Sequence, residues 1–313
     1  MKGFNCNGQV ILISGGSQGL GESFAKRFVQ DDDGPGSNTN KVIIVSRSQS
    51  KLVKACERIG VDGVSLDRYV NDTNRNETKL IYHSCDTSSY DKVALMFKLL
   101  VKSELVPSQV YMCAGGSIPK LFLDLTPEEL QNGITTNYST AVNLAHVSLK
   151  HDVPHLLFFS SEVAFFPFIG YAQYAPLKQS IRSLVAILRQ EHSSTRITCV
   201  YPGNFQSEGF DLENITKPAI TKEIEGPSNP VTAAQCRDKI ISSLKWGLDD
   251  ITTDSIGWLL MACDQGLNKH STSQFMFVFS WILGALLNIT IVPIYMLICK
   301  FQIYQWKRNK DTK

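Results

Sequence analysis

Short apolar runs alternate with amphipathic helical patterns along the first 250 residues, and this alternation restricts the fold more than any other feature of the chain. The apolar runs predict six strands, at residues 9–14, 41–46, 80–85, 110–113, 156–160 and 197–201. The helical patterns between and after them cover residues 22–30, 51–59, 90–104, 137–150, 174–192 and 233–246. Strands separated by single helices predict a doubly wound parallel sheet, an α/β architecture of the Rossmann-like kind.

Two polar stretches interrupt this alternation. Residues 60–79 are predicted to be a surface insertion. Residues 204–230 contain several prolines and little periodicity, and a connection of that length is usually functional, so we expect a substrate lid. The predicted α/β domain therefore spans residues 1–250, and a connecting segment follows over residues 251–274.

The turn after the first predicted strand is rich in glycine and reads GGSQGLG. Glycines at such a turn let the backbone approach a pyrophosphate, and the helix that follows presents free N–H groups at its positive end. A tight strand-to-helix connection is the alternative interpretation. The position between a strand and a helix favours dinucleotide binding. The predicted cofactor contacts in this turn are Gly15, Ser17, Gln18, Gly19 and Gly21.

The end of the second predicted strand indicates which dinucleotide is bound. Enzymes selective for NAD usually place an acidic residue here, whereas this chain has Arg47, with Lys51 one helical turn later. Two cations suit a ribose 2′-phosphate, which favours NADPH over two merely solvated charges. Asp86, after the third strand, is predicted to accept a hydrogen bond from the adenine amine, with a turn- or helix-capping aspartate as the alternative.

A tyrosine and a lysine four residues apart carry the predicted chemistry. Tyr174 and Lys178 lie in the sequence YAPLK, and this spacing places both side chains on one helix face. We expect the lysine ammonium and a nicotinamide cation to lower the pKa of the phenol, so that it acts as a general acid toward a carbonyl oxygen. Tyr171 lacks a lysine four residues on.

Two further polar residues complete the predicted catalytic set. Ser161 ends the fifth strand and is expected to polarise the substrate carbonyl, while strand alternation points its neighbour Ser160 the other way. Asn137 is expected to sit within a helix and to bind a water that relays protons to Lys178; a surface asparagine is the alternative.

In order and spacing, these motifs resemble those of the short-chain dehydrogenase/reductase family. The resemblance rests on the glycine turn, Asn137, Ser161, the Tyr174–Lys178 pair and the Pro202-Gly203 turn, and it covers about residues 8–250. It implies that Ser207 lies against the nicotinamide amide, and that two copies pair through the helices bearing Asn137 and Tyr174. Met112-Cys113 departs from the family's usual pair of asparagines.

Longer segments, among them YAQYAPLKQSIRSLVAILRQE and CVYPGNFQSEGF, are similar to the fungal 3-ketodihydrosphingosine reductases within that family. This similarity implies NADPH-dependent reduction of 3-ketodihydrosphingosine to dihydrosphingosine in sphingolipid biosynthesis, on the cytosolic side of the endoplasmic reticulum membrane. A reductase of another lipid ketone (steroid, retinoid or acyl-dihydroxyacetone phosphate) is the alternative. A non-catalytic member is disfavoured because the serine, tyrosine and lysine are all present.

Some residues are compatible with a long-chain lipid substrate. The loop between Ser161 and Tyr174 is apolar, with core packing as the alternative to lipid binding; it contains Phe165, Phe166, Phe168 and Ile169. The acidic residues proposed to pair with a substrate ammonium are Glu162, Glu208 and Asp211, with a solvated surface as their alternative.

Residues 275–299 contain no charged side chain and are long enough for a membrane anchor. One straight span and a re-entrant hairpin broken near Asn288 or Pro293 are both compatible with this segment. The tail at residues 300–313 is basic and contributes +4 to the formal net charge of +2, which leaves a mildly acidic body. Because nucleic-acid-binding proteins usually carry a basic surface, the mildly acidic charge of residues 1–299 predicts no nucleic-acid partner. The eight cysteines form no CxxC pair, so we expect no metal site.

Overall fold

Eight parallel strands form one sheet in the computed structural model, which describes residues 4–30, 39–71, 77–266, 270 and 274–311. The order across the sheet is β3-β4-β2-β1-β5-β6-β7-β8. The strands are β1 (Val10–Ser14), β2 (Lys41–Ser46), β3 (Gly63–Ser65), β4 (Leu80–Ser84), β5 (Gln109–Met112), β6 (His155–Phe159), β7 (Arg196–Tyr201) and β8 (Asp250–Thr252). The predicted doubly wound parallel sheet is confirmed.

Helices cover both faces of the sheet. Those of the sheet domain are α1 (Gly19–Val29), α2 (Gln49–Ile59), α3 (Leu66–Tyr69), α4 (Tyr90–Lys102), α5 (Pro127–Ile134), α6 (Thr140–Lys150), α7 (Ala175–Glu191), α8 (Glu208–Thr216), α9 (Ala219–Glu225), α10 (Ala233–Lys245) and α11 (Ser255–Cys263). Two longer helices end the described chain, α12 (Gln274–Ile289) and α13 (Ile291–Asp311).

The central strands are buried on both faces, which explains their nearly continuous apolar sequences. Successive residues of β1 alternate between two cores: Leu12 packs into the core under α4, α6 and α7, whereas Ile11 and Ile13 pack into the core under α1, α2 and α10. Both cores therefore fix the sheet, and the loops at the carboxyl ends of the strands stand on a rigid base.

Three segments differ from the sequence-based expectation. The insertion at residues 60–79 contributes the edge strand β3, which pairs with β4, and the short helix α3. The stretch at 204–230 contains α8 and α9. The connecting segment contains β8 residues and α11, so the sheet continues to Thr252. The sequence did not predict β3 and β8 because three residues are too few to show the alternation of a strand. It did not predict α8 because that helix buries no side chain and therefore lacks an apolar stripe.

The apolar C-terminal segment forms two helices rather than one. Among the described residues no single helix is long and apolar enough to cross a membrane, but Phe275–Ile289 and Ile291–Asn309 together pass by length and composition, with a bend of 46° between them. The break falls at Thr290, between the two breaking residues considered from the sequence.

Both C-terminal helices pack against the sheet domain. A Cβ atom at Gly284 would collide with the Ala262 carbonyl, which shows how closely α12 lies on α11. The Asn288 side chain donates a hydrogen bond to the Cys263 carbonyl (2.8 Å). Helix α13 lies against α9, where the Tyr295 hydroxyl donates to the Ile224 carbonyl (3.3 Å).

Candidate active site

A cavity of about 1050 Å³ opens at the carboxyl ends of the parallel strands, where sheets of this kind bind ligands. Its lining includes the turn after β1, the segments after β2, β4, β5, β6 and β7, and part of residues 204–230, the predicted lid, which contain α8 and α9. Residues from distant parts of the sequence therefore meet in one enclosed space.

The glycine turn forms one wall of this cavity. Gly15 has φ +75°, and a Cβ there would lie 2.7 Å from the Ala114 backbone nitrogen. A Cβ on Gly21 would collide with the Gly15 carbonyl, so the start of α1 approaches β1 too closely for any side chain. Ser17 and Gln18, like the three predicted glycines, line the cavity. The turn is thus the kind of backbone cradle that a dinucleotide pyrophosphate requires.

Three predicted cofactor contacts lie beside this turn. Arg47 is exposed after β2, and the Lys51 ammonium lies 3.4 Å from the Gln18 side-chain oxygen. Asp86 accepts hydrogen bonds from the Ser88 hydroxyl (2.7 Å) and backbone (3.1 Å). The Ser88 hydroxyl, with a smaller contribution from Arg47, lowers the pKa of Asp86. All three residues line the cavity. Asp86 also stabilises its own turn, which was the alternative role predicted for it.

Ser161, Tyr174 and Lys178 also meet in the cavity. Tyr174 precedes α7, Lys178 lies in its first turn, and the ammonium is 5.4 Å from the centre of the phenol ring. The Ser161 hydroxyl is hydrogen-bonded to the phenol. The hydroxyl of Ser160 is buried and donates to the Lys178 carbonyl (2.7 Å), so Ser161 is the serine that faces the phenol.

The predicted lowering of the tyrosine pKa is not what the protein groups produce. Burial raises the pKa of Tyr174, the Glu213 carboxylate raises it further, and the hydrogen bond with Ser161 opposes both. Burial also lowers the pKa of Lys178 to about 8. The ammonium donates to the Phe159 carbonyl (2.9 Å), a contact that the local YAPLK pattern does not reveal.

Asn137 lies on a π-helical turn, Thr135–Ser139, between α5 and α6. Its amide donates to the Gly116 carbonyl (2.8 Å) and its oxygen accepts from the Gly116 nitrogen (3.0 Å). A third bond runs to the Gly133 carbonyl (3.2 Å). Asn137 is therefore buried and holds the segment after β5 in place, and the predicted water relay to Lys178 stays a prediction.

Ser207 lies where the lid begins. Its hydroxyl accepts a hydrogen bond from the Phe210 nitrogen (3.1 Å) and caps α8. A Cβ on Gly19 would lie 3.4 Å from the Ser207 Cβ, so the lid starts directly against the glycine turn. This position is compatible with the predicted contact to the nicotinamide amide, which stays a prediction.

A polar network in the cavity was not predicted from the sequence. The Glu213 carboxylate accepts hydrogen bonds from the hydroxyls of Ser117 and Tyr171, both at 2.5 Å. Buried Lys217 forms ion pairs with Glu213 (3.0 Å) and Glu225 (2.6 Å). The i, i+4 spacing of Glu213 and Lys217 was the only local signal, because Lys217 and Glu225 are eight residues apart and the bonds from Ser117 and Tyr171 to Glu213 span 96 and 42 residues.

The residues proposed for a lipid substrate separate into two groups. Phe166 and Phe168 line the cavity with stacked rings 5.4 Å apart, whereas Phe165 packs on Tyr201 in the core. Glu208 and Asp211 are exposed, and neither lines the cavity. Glu162 does line it, but burial and the nearby Asp254 carboxylate raise the pKa of Glu162 to about 8.

Comparisons with known proteins agree with this geometry. Residues 9–216 match the short chain dehydrogenase family. The chain is 46% identical to the 3-ketodihydrosphingosine reductase of Eremothecium gossypii (98% of this chain, 96% of the relative) and 45% identical to that of Saccharomyces cerevisiae (99% and 98%). An alcohol dehydrogenase from Thermococcus sibiricus complexed with 5-hydroxy-NADP has a similar fold, with TM-score 0.59, 19% identity and coverage of 77% of this chain and 94% of that chain.

Proposed function

Since this chain belongs to the short-chain dehydrogenase family, we propose that it reduces the ketone of 3-ketodihydrosphingosine to the hydroxyl of dihydrosphingosine, with NADPH as its cofactor. The observation that carries this proposal is the meeting of Ser161, Tyr174 and Lys178 in a cavity that also contains the glycine turn and Arg47. The substrate assignment is supported by relatives of that activity at 45–46% identity over nearly the whole chain.

The three side chains divide the chemistry among them. When bound, the nicotinamide supplies the hydride for the ketone carbon. The hydroxyls of Ser161 and Tyr174 face each other and can both donate to the substrate carbonyl oxygen. The high pKa of the phenol keeps it protonated until the oxygen gains negative charge, and the phenol then transfers its proton to that oxygen. The Lys178 ammonium beneath the ring stabilises the phenolate that remains.

The substrate assignment is tested with the detergent-solubilised full chain. We expect oxidation of NADPH that depends on 3-ketodihydrosphingosine and yields dihydrosphingosine, measured by absorbance at the nicotinamide band and by mass spectrometry of the product. Steroid, retinoid and acyl-dihydroxyacetone phosphate ketones serve as comparison substrates. Faster turnover of one of these than of 3-ketodihydrosphingosine would contradict the proposed substrate but not the reductase chemistry.

The preference for NADPH is proposed to depend on Arg47. We expect Arg47→Ala to weaken NADPH binding by about 10- to 100-fold, because a charged hydrogen bond to the 2′-phosphate is lost. Binding of NADH, which lacks that phosphate, should change by no more than a few-fold. The measurement is a fluorescence titration with each cofactor. Lys54→Ala is the matched control, because Lys54 is an exposed cation on α2 that does not line the cavity. Equal losses for NADPH and NADH would contradict this role.

We further propose that α12 and α13 attach the enzyme to the endoplasmic reticulum membrane, with the sheet domain in the cytosol. The outward apolar side chains support this, including Phe275, Ile289, Ile291 and Leu297, which are all exposed. The cations Lys300, Lys307 and Arg308 follow on the same helix pair, where they suit anionic headgroups. Protease protection of a C-terminal tag in sealed microsomes distinguishes a crossing pair from a shallow hairpin.

The proposed lipid site lies next to the helix pair that we propose to bind the membrane. Phe166 and Phe168 line the cavity, and Phe166 also contacts Tyr295 of α13 (ring centres 5.6 Å apart). We propose that the alkyl chain lies along this apolar wall.

Homodimer formation through the exposed sides of α6 and α7 also stays a proposal, which sedimentation of the detergent-solubilised protein would test.

A further inference from the structure

The Glu213 carboxylate occupies a place in the cavity that the reductase chemistry above does not use. It enters from the lid helix α8, and its hydrogen-bond partners Ser117 and Tyr171 come from the segment after β5 and the loop before α7. Tyr171 in turn lies beside Tyr174, with their ring centres 6.2 Å apart, and the Glu213 charge raises the pKa of the Tyr174 phenol. A ketone bound by Tyr174 and Ser161 therefore reacts close to the negative charge of the Glu213 carboxylate.

Within the part of the chain that the structure describes, the charges around Glu213 leave one negative charge unbalanced. Glu213 and Glu225 share the single ammonium of Lys217, and the remaining donors to the two carboxylates are neutral: Ser117, Tyr171 and Asn204. One Glu213 oxygen accepts from both Tyr171 and Lys217, whereas the other accepts only from Ser117 among the described residues. That second oxygen retains acceptor capacity for a cation.

From this arrangement, and resting on the proposed function, we infer that Glu213 binds the ammonium group next to the ketone of the substrate and so selects amino ketones over uncharged lipid ketones. In 3-ketodihydrosphingosine the amine is on the carbon bonded to the carbonyl carbon, so it must lie close to the Tyr174 phenol when the ketone reacts. Glu213 lines the same cavity as that phenol and accepts a hydrogen bond from Tyr171, whose ring is the neighbour of the Tyr174 ring.

The other acidic residues are less suited to this role. Glu208 and Asp211, which the sequence suggested, are exposed and lie outside the cavity lining. Glu162 faces Asp254 across Gly203 and Gly257, and its raised pKa of about 8 keeps it largely neutral near pH 7. Glu225 bonds Asn204 and Lys217, and it lies farther from the Tyr171 hydroxyl (3.4 Å) than Glu213 does (2.5 Å).

The test compares two ketones that differ only in the amino group, 3-ketodihydrosphingosine and its analogue lacking the amine, in the full-length NADPH-dependent enzyme. We expect Glu213→Gln to lower kcat/KM for the amino ketone by about 10- to 100-fold and for the analogue by no more than about threefold, because a charge-assisted hydrogen bond is lost only with the first. Glutamine keeps the shape needed to dock the lid.

Two matched variants give the controls. Glu208→Gln removes a negative charge from the same helix as Glu213 but outside the cavity lining, so a general effect of charge on α8 would reduce the ratio of the two kcat/KM values there as well; we expect that ratio to stay at its wild-type value. Glu162→Gln tests the rival position. Loss of discrimination in Glu162→Gln or Glu208→Gln, or equal losses for both ketones in Glu213→Gln, would overturn the inference.

A second readout separates charge recognition from a merely structural role. Because Glu213 raises the pKa of Tyr174, its replacement by glutamine should move the alkaline limb of the pH profile to lower pH with the uncharged analogue. An unmoved limb would contradict the contact between Glu213 and the phenol. Wild-type enzyme that reduces neither ketone would instead refute the proposed function, so the two failures are distinguishable.

Discussion

Replacing Tyr174 by phenylalanine is expected to lower kcat by at least about 10³-fold, because the reaction loses the group that protonates the carbonyl oxygen. The ring itself remains in Tyr174→Phe, so the packing before α7 and the position of Lys178 should be kept. NADPH binding should therefore stay within a few-fold of wild type. Stopped-flow turnover and a fluorescence titration of NADPH measure the two quantities separately.

Tyr90→Phe is the matched control for this experiment. Tyr90 begins α4 on the surface and its hydroxyl contacts His146 (3.0 Å), away from the cavity lining. We expect its turnover to equal that of wild type. If Tyr174→Phe turned over at more than about a tenth of the wild-type rate, the phenol would not be the proton donor, and Ser161 would be the next candidate.

The second large effect is expected on stability, at the buried Asp250 of β8. Its carboxylate accepts from Arg189 of α7 (2.8 Å) and from the Tyr201 hydroxyl (3.3 Å), and His270 lies nearby. Asp250→Ala would leave the partly buried Arg189 guanidinium without its carboxylate partner, with only the Ile197 and Asp249 carbonyls as acceptors. We expect the free energy of unfolding to fall by about 3 kcal/mol, measured by denaturant unfolding of the detergent-solubilised protein.

The pH dependence of this contribution follows from the pKa of Asp250. Burial by itself raises that pKa, but His270 and Arg189 outweigh burial and hold it below the ordinary value. A carboxylate with a depressed folded-state pKa contributes stability above its unfolded pKa and loses it as pH falls through the folded one. The difference between wild type and Asp250→Ala should therefore shrink under acidic conditions.

Asp238→Ala provides the comparison for an exposed pair. Asp238 bonds Arg237 at 2.8 Å but is largely exposed, so its loss should change the free energy of unfolding by no more than about 0.5 kcal/mol. If Asp250→Ala were as mild as Asp238→Ala, the carboxylate of Asp250 would not hold β8 and α7 together.

The sequence predicts the site best where its geometry is local. The four-residue spacing of Tyr174 and Lys178 sets their relation on α7, and the glycine turn sets the backbone between β1 and α1. The order of strands and helices predicts the sheet because buried parallel strands are apolar throughout. These features need no knowledge of distant parts of the chain.

The sequence fails where a property depends on tertiary contacts. The bond between Tyr171 and Glu213 joins residues 42 positions apart, and no motif marks it. The pKa of Tyr174 depends on burial and on that same carboxylate, so its direction could not be read from the neighbouring lysine alone. Strand β8 is recognisable only from its partner β7, because three residues carry no pattern.

The tight contact at Gly284 has a practical meaning for anyone preparing this enzyme. Cutting the chain before α12 would bare the face of α11 around Ala262 and remove the Tyr295 support from lid residue Ile224. A shortened protein would thus lose part of a cavity wall. Kinetic constants from such a fragment would describe a differently shaped active site, and the intact chain is the form to purify and assay.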